Sequence, residues 1–296
     1  MPKPDICEDS LELRHAVTRA LGLPNGADWT PMPMGKTNNV WSVTVKGQTL
    51  VVKWFTGNAT PMFDNDPFAE FACLTRLAPR FAPQPVLFLS GTYGRAVVYR
   101  YLSGPTWSAD TASVGRLLRD VHSLKRVPGL PERVNGSEAV LASAKAILST
   151  CRHAPRRLQK LIDRIAVAPT VAPLPVEGLR LLHGDPVASN IVETPDGLRL
   201  IDWQSPAWGD PCDDLAVFLS PSMQLEYRGV ILSDDAREAF LAAYDDPDVC
   251  ARYRRLSPLL HLRLAAYAQW GLERGRNHHD KGMDAELDAA ERALAG

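Results

Sequence analysis

The chain has 296 residues, 45% of them hydrophobic and 23% charged, an ordinary globular composition with enough apolar material for a sizeable core. At ~100–200 residues per domain, this length fits two lobes better than one. The 33 Lys and Arg against 34 Asp and Glu give a formal net charge of −1, which excludes the basic excess of a chain built to bind nucleic acid or an anionic membrane.

The apolar runs are short and interrupted by charge or proline, so none reaches the ~20 residues of a membrane span. The stretch Met1 to Arg19 is charged throughout and lacks the apolar centre of a signal peptide. Cys7, Cys73, Cys151, Cys212 and Cys250 are scattered and never spaced as C-x-x-C. Free thiols in a reducing cytoplasm are therefore expected, not a disulfide framework or a zinc site.

In chain order, Leu11, Leu13, Val17 and Leu21 predict a helix over Cys7 to Leu21, stopped by Pro24–Gly26. Val40–Val45 and Leu50–Val52 then read as two strands joined around Lys46-Gly47-Gln48. A helix over Pro67 to Leu77 follows, and the strands Val86–Leu89 and Ala96–Tyr101 flank the turn Ser90 to Gly94. This makes an α+β lobe around an antiparallel sheet. Beyond Gly104-Pro105 the pattern is helical, over Thr111–Leu124 and Ser137–Ile165, and the proline-rich Ala168–Val176 reads as an extended linker. A β-rich island over Leu179 to Asp202 contains the turn Thr194-Pro195-Asp196-Gly197. Helices over Asp213–Leu219, Ser233–Ala243 and Arg252–Arg276 complete the reading, with a lobe boundary near Ser103.

The chemistry is concentrated in His183-Gly184-Asp185-Pro186-Val187-Ala188-Ser189-Asn190, followed by Leu200-Ile201-Asp202-Trp203. A turn-rich loop separates Asp185 from Asn190, and a hairpin returns Asp202 beside them. Two oxygen ligands of this kind suit Mg²⁺, which takes a few protein oxygens together with phosphate and water. A remaining carboxylate can accept the proton of a hydroxyl nucleophile.

H-G-D-x-x-x-x-N followed by I-D-W resembles the catalytic loop and metal-binding strand of the aminoglycoside phosphotransferase and choline kinase superfamily. Gly209-Asp210-Pro211-Cys212-Asp213-Asp214-Leu215-Ala216 resembles the segment that closes the same site. The resemblance implies a two-lobed protein-kinase-like fold, with an N-lobe over 1–102 and a helical C-lobe over 103–296. It implies transfer of a phosphoryl group from ATP or GTP, with Mg²⁺, to a hydroxyl of a small-molecule acceptor, in a monomer or homodimer. It makes Asp185 the base, Asn190 and Asp202 the metal ligands, and His183 and Asp214 the residues that hold the loop in shape. Lys53, in Val51-Val52-Lys53-Trp54, resembles the strand lysine that pairs with the α- and β-phosphates, and Glu70 the helix glutamate that holds it. Met34-Gly35-Lys36-Thr37-Asn38-Asn39 resembles a phosphate-covering G-x-T-N loop, in which Thr37 and Asn38 side chains donate to phosphate oxygens. Val97 to Gly104 resembles the interlobe hinge, whose backbone near Arg100 and Leu102 would meet the adenine edge.

The acceptor is less defined. From His183 to Cys250 there are 14 acidic and 3 basic residues, a balance of −11, whereas Ala112 to Leu182 has 5 acidic and 12 basic, a balance of +7. An acidic surface beside the loop would draw a cationic alcohol such as choline, ethanolamine or an aminoglycoside. Trp270 resembles a choline kinase tryptophan that cages a quaternary ammonium, with Glu273 one turn on as a counter-charge. Against choline itself, Trp203 and Gln204 stand where Phe and Glu are typical. A sugar, homoserine or thiamine-like acceptor is the alternative, and a non-catalytic nucleotide-binding regulator is the alternative from another class.

Overall fold

A computed structural model of the chain describes residues 8–24, 27–32, 37–276 and 279–295. Strands β2 (Asn39–Val45) and β3 (Gln48–Phe55) form a hairpin, as their alternating apolar residues demand. With β1 (Trp29–Pro31), β4 (Pro85–Gly91) and β5 (Gly94–Arg100) they make a five-stranded antiparallel sheet in the order β1-β2-β3-β5-β4. The period-two alternation of β3 and β5 sorts their side chains onto two faces. Leu50, Val52, Trp54, Ala96 and Val98 pack under Leu13 and Val17 of helix α1 (Glu8–Leu21). Val51, Val97 and Tyr99 face the other way, into the main core with helix α2 (Pro67–Leu77). Lys53 shares that second face, and its placement follows from the register alone.

β1 was not expected. It is three residues long, carries a proline and lies at the sheet edge, where a missing N–H is tolerated.

The second lobe begins with α3 (Thr111–His122), capped by Asp110. The single helix expected over Ser137–Ile165 is two helices, α4 (Ser137–Ser149) and α5 (Arg156–Ile165), broken before Pro155 because proline cannot extend a preceding helix. The expected linker Ala168–Val176 is pinned to the body. Val171 is buried and exchanges hydrogen bonds with Ser137, receiving its N–H at 2.9 Å and donating to its Oγ at 2.8 Å.

The β-rich island divides into β6 (Arg180–Leu182) and the hairpin of β7 (Ile191–Thr194) and β8 (Gly197–Leu200). β6 finds its partner outside the island, in β9 (Ala207–Gly209). Helices α6 (Cys212–Leu219), α7 (Pro221–Arg228), α8 (Asp234–Tyr244), α9 (Pro247–Leu272) and α10 (His279–Ala295) complete the lobe. α9 starts five residues before the expected Arg252, at the Asp246 cap followed by Pro247, and ends at Leu272 instead of Arg276. Among the described residues, no helix is long and apolar enough to cross a membrane.

α3 and α8 cross at Gly115, where an added Cβ would lie 2.4 Å from Phe240 O. Gly115→Ala must push these backbones apart, at a cost of about 1–3 kcal/mol. Thermal denaturation is expected to show a transition several degrees lower, and an unchanged transition would contradict this packing.

Candidate active site

The chain leaves β6 at Leu182 and turns sharply through His183, Gly184 and Asp185. Gly184 has φ +84°, and a Cβ there would lie 1.9 Å from Ser205 O, so only glycine fits. Asp214, in the first turn of α6, holds this turn from behind. Its Oδ2 accepts from the His183 N–H at 2.8 Å and its Oδ1 from the Gly184 N–H at 2.9 Å. His122 Nε2 lies 3.1 Å from the same carboxylate, and Tyr244 Oη is 2.8 Å from His122 Nδ1. Burial opposes the charge on Asp214, but the His122 contact and the His183 N–H hold its pKa below the usual carboxylate range.

His183 is itself locked. The Asp185 N–H donates to Nδ1 at 3.3 Å, which leaves Nε2–H to donate to Ile201 O at 3.0 Å. Its ring meets the edge of Trp203, and burial lowers its pKa, in keeping with a neutral imidazole. Asn190 closes a 3-10 turn, and its Nδ2 donates to Asp185 O at 2.9 Å. The Ile201 N–H donates to Asn190 O at 2.9 Å, so the end of the β7–β8 hairpin is tied to the loop. Asp185, Asn190 and Asp202 are thereby brought together, as the spacing predicts.

From the first lobe, Lys53 Nζ donates to Glu70 Oε2 at 2.6 Å and also to Asp202 Oδ1. The lysine and Glu70 side chains are 4% and 0% exposed, so the pair is out of water. Burial alone would lower the Lys53 pKa, but Asp202 and Glu70 reverse this and hold the ammonium charged. Burial pushes Glu70 up to about 7 despite Lys53, and its Oε1 has no hydrogen-bond partner among the described residues.

Sequence reasoning did not find the role of Gln204. Its backbone O accepts from the Asp66 N–H at 2.9 Å, and Asp66 caps α2, the helix of Glu70, by accepting from Phe68 and Ala69 N–H. Its Oε1 accepts from Asn38 Nδ2 at 2.9 Å. Asn38 and Asn65 exchange reciprocal amide bonds at 2.7 and 3.0 Å. Both Asn38 amide hydrogens are thus committed to Asn65 and Gln204, which corrects the expectation that this side chain donates to phosphate. Asn38 fastens its loop to the segment after Asp202. The signal was available in the two polar residues flanking known landmarks, Asn65 before the Asp66-Pro67 helix start and Gln204 after the I-D-W strand.

Between the lobes lies a cavity of about 290 Å³. Val40, Val51, Leu102, Val192 and Ile201 make its apolar walls, and Lys53, Asn190 and Asp202 its polar end, with Thr37 and Asn38 at the border. Leu102 therefore sits where the hinge reading expects it. Arg100 does not line the cavity: its side chain is exposed and its N–H donates to Gln84 O at 2.8 Å. Met34, Gly35 and Lys36 lie outside the described residues.

Trp270 and Glu273 are also absent from this cavity. Trp270 stacks on Tyr267, with centroids 5.4 Å apart, and the Arg274 and Arg276 guanidinium groups cover it at 4.5 and 5.3 Å. Glu273 accepts the backbone N–H groups of Arg152 and His153 at 2.7 and 2.9 Å, which caps the break between α4 and α5 and lowers its pKa. It is therefore engaged as a structural cap, where a counter-charge was expected. Burial raises the Tyr227 and Tyr267 phenols, and the Asp185 carboxylate adds to the rise.

The acidic run is likewise largely spent on structure. Asp210 pairs with Arg252 at 2.7 Å, Asp213 with Arg263 at 2.7 Å, Asp214 holds the loop, and Asp246 caps α9. The ligand atoms offered at the polar end of the cavity are oxygens, from the Asp202 carboxylate and from the Asn190 amide, whose nitrogen is turned back to Asp185. No cluster of three His, Cys, Asp or Glu able to hold a metal occurs among the described residues. A hard cation that completes its shell with phosphate and water fits this set, and a zinc-type site does not.

The raised Glu70 pKa has a consequence for stability. From about pH 4.5 to 7 the folded chain keeps a proton that the unfolded chain releases. Stability from this group is therefore fullest at the acid end and falls as pH rises through the window. Glu70→Gln is expected to remove that component. Urea midpoints of the two proteins across the window should show wild type losing ground to the variant, and parallel profiles would contradict the assignment.

Residues 28–259 match the family model for APH, the phosphotransferase enzyme family. No curated protein matches the sequence. Among solved structures, the choline kinase LicA from Streptococcus pneumoniae is 18% identical, with 96% of this chain and 99% of that chain covered and a TM-score of 0.64. A choline/ethanolamine kinase family protein from Mesorhizobium loti is 18% identical, with coverage of 97% and 95% and a TM-score of 0.66. The GDP complex of wild-type aminoglycoside 2'-phosphotransferase-IIIa is 15% identical, with coverage of 96% and 98% and a TM-score of 0.65. At these identities the likeness is one of fold, whereas the family match spans most of the sequence. The chain belongs to the phosphotransferase enzyme family and has its two-lobed, protein-kinase-like fold.

Proposed function

We propose that this protein is a small-molecule kinase, which moves the γ-phosphoryl group of ATP or GTP to an alcohol. The observation that carries this reading is the gathering of Lys53, Asp202 and Asn190 from both lobes at one end of an apolar slot, with Asp185 hydrogen-bonded to Asn190 beside them. The related structures described as complexes with AMP, ADP and GDP support a nucleotide as the co-substrate. Residues 1–102 form the nucleotide lobe in this reading, and residues 103–296 supply the catalytic loop and the acceptor pocket. Cys73, Cys151, Cys212 and Cys250 are free thiols, which favours a reducing cytoplasm as the setting.

The slot between Val51 and Ile201 takes the base, with the hinge backbone at Leu102 on its edge. Lys53, held charged by its two carboxylates, neutralises the α- and β-phosphates. Asn190 and Asp202 would hold Mg²⁺, which would supply neutralisation of the phosphate charge. Asp185, kept in place by His183 and Asn190, orients the acceptor hydroxyl in line with the γ-phosphorus. The acceptor oxygen forms the new P–O bond, the bond to the β,γ-bridging oxygen breaks, and the hydroxyl proton passes to Asp185. The cationic alcohol expected from the acidic run loses that support, since Asp210, Asp213 and Asp214 are each held by partners of their own.

Asp185→Asn keeps the shape of the loop and removes the proton acceptor, so kcat should fall by about 10²–10⁴-fold. Nucleotide affinity, measured by calorimetry on the same protein, should stay within about twofold, since Asp185 makes no nucleotide contact in this reading. Nucleotide-dependent phosphorylation of an alcohol panel is the assay. Equal turnover by the variant, or no transfer by the wild type to any alcohol, would overturn the proposal.

A further inference from the structure

Beside the catalytic loop, outside the interlobe cavity, the end of α9 carries a pair of arginines that neither the loop nor the slot uses. Arg274 and Arg276 lie over the Trp270 ring at 4.5 and 5.3 Å. Arg276 Nη1 also donates to Tyr267 Oη at 3.1 Å, and Arg274 Nη1 to Trp270 O at 3.1 Å. Among the described residues neither guanidinium has a carboxylate within ion-pair distance. Other arginines of α9 and its neighbours do: Arg252 with Asp210, Arg263 with Asp213, and Arg157 with Glu291, at 2.7, 2.7 and 2.8 Å. The nearest acid in sequence, Glu273, is turned away and spent on the Arg152 and His153 N–H groups.

Two guanidinium groups held over an indole are pre-positioned, and the arginine fork matches carboxylate and phosphate oxygens. Their position fixes what they could meet. Tyr267 bridges Arg276 on one side and Phe63 on the other, the ring centroids of that pair being 5.2 Å apart. Phe63 in turn lines a cavity together with Gly184, the residue before Asp185. Arg276 is therefore linked through Tyr267 and Phe63 to the cavity wall beside the Asp185 turn, where an acceptor hydroxyl would be presented. The same arrangement works against a quaternary ammonium, because the face of Trp270 is already covered by cations and two positive charges confront the incoming one.

We propose that Arg274 and Arg276 form an anion-binding face of the acceptor site, so that the acceptor is an alcohol bearing a carboxylate or phosphate. The inference rests on the kinase reading for the location of the hydroxyl, but the anion-binding face is testable without transfer.

Calorimetry with D-glycerate and glycerol 3-phosphate, against glycerol and choline, reads binding directly, and ADP release with the same four compounds reads transfer. Wild type should bind at least one of the two anions at least about tenfold more tightly than glycerol or choline. The tighter anion identifies carboxylate or phosphate as the preferred group. Arg276→Ala and Arg274→Ala should each weaken it by about tenfold or more, Arg276→Lys should restore part of the loss, and Arg276→Glu should favour choline. Loss of anion binding in the alanine variants, with no transfer in any protein, would retain the anion-binding face and remove the kinase reading. Tighter binding of choline than of either anion, no anion binding by wild type, or anion binding unchanged in both alanine variants would overturn the proposal.

Discussion

One ammonium group holds the two lobes in register. Lys53 comes from β3, Glu70 from α2 and Asp202 from the strand end after the catalytic loop, and they meet with Lys53 and Glu70 out of water and Asp202 34% exposed at the cleft. A buried charge left without its partner, such as Lys53 without Glu70, costs about 3–5 kcal/mol. The three elements are therefore placed together or not at all. Gln204, two residues beyond Asp202, extends the same logic: its backbone fixes the Asp66 cap of α2, and its side chain fixes Asn38 and the loop beside the slot. The short segment from Asp202 to Gln204 thus gathers lysine, helix and loop from the other lobe.

Behind that segment, a second set of bonds forms the loop itself. Asp214 spends both oxygens on the His183 and Gly184 N–H groups, and the His183 ring spans from Asp185 N–H to Ile201 O. Charge in this region serves mainly to build the site. The local balance of −11 was expected to form a surface that attracts cations, yet arginines from α9 and backbone N–H groups neutralise its central members. Net charge over a stretch of sequence counts carboxylates without regard to their partners, and here the partners lie tens of residues away.

What could be read from sequence was what is local. H-G-D-x-x-x-x-N and I-D-W flank one short hairpin, so their spacing was enough to bring Asp185, Asn190 and Asp202 together. Lys53 and Glu70 were legible because a strand register and a helix start marked by Asp66-Pro67 fix their directions. Apart from the 17-residue α10, which was not read either, the features missed depend on contacts distant in the chain or on short elements. β9 exists only as the partner of β6, β1 is three residues long, and α7 is a short helix begun by Ser220 and Pro221. The Pro155 break was visible in the residues but was overridden by apolar periodicity on both sides of it. Asn38 was given to phosphate because its loop resembles one that binds phosphate, whereas its amide is taken up by Asn65 and Gln204. Trp270 and Glu273 lie at helical spacing near the right end of α9, but helical spacing does not reveal that arginines cover one and backbone N–H groups occupy the other.

Asp202 is the residue on which the two halves depend, since it holds Lys53 and would also hold Mg²⁺ when a nucleotide is bound. Calorimetric titration of ATP into wild type and Asp202→Asn, each with and without Mg²⁺, tests this most directly. Wild-type affinity should rise on adding Mg²⁺, and the variant should lose at least about tenfold of the Mg²⁺-dependent affinity, ~1.4 kcal/mol. Equal affinity in the two proteins, with no effect of Mg²⁺ on either, would contradict the assignment of this cleft as a nucleotide and metal site.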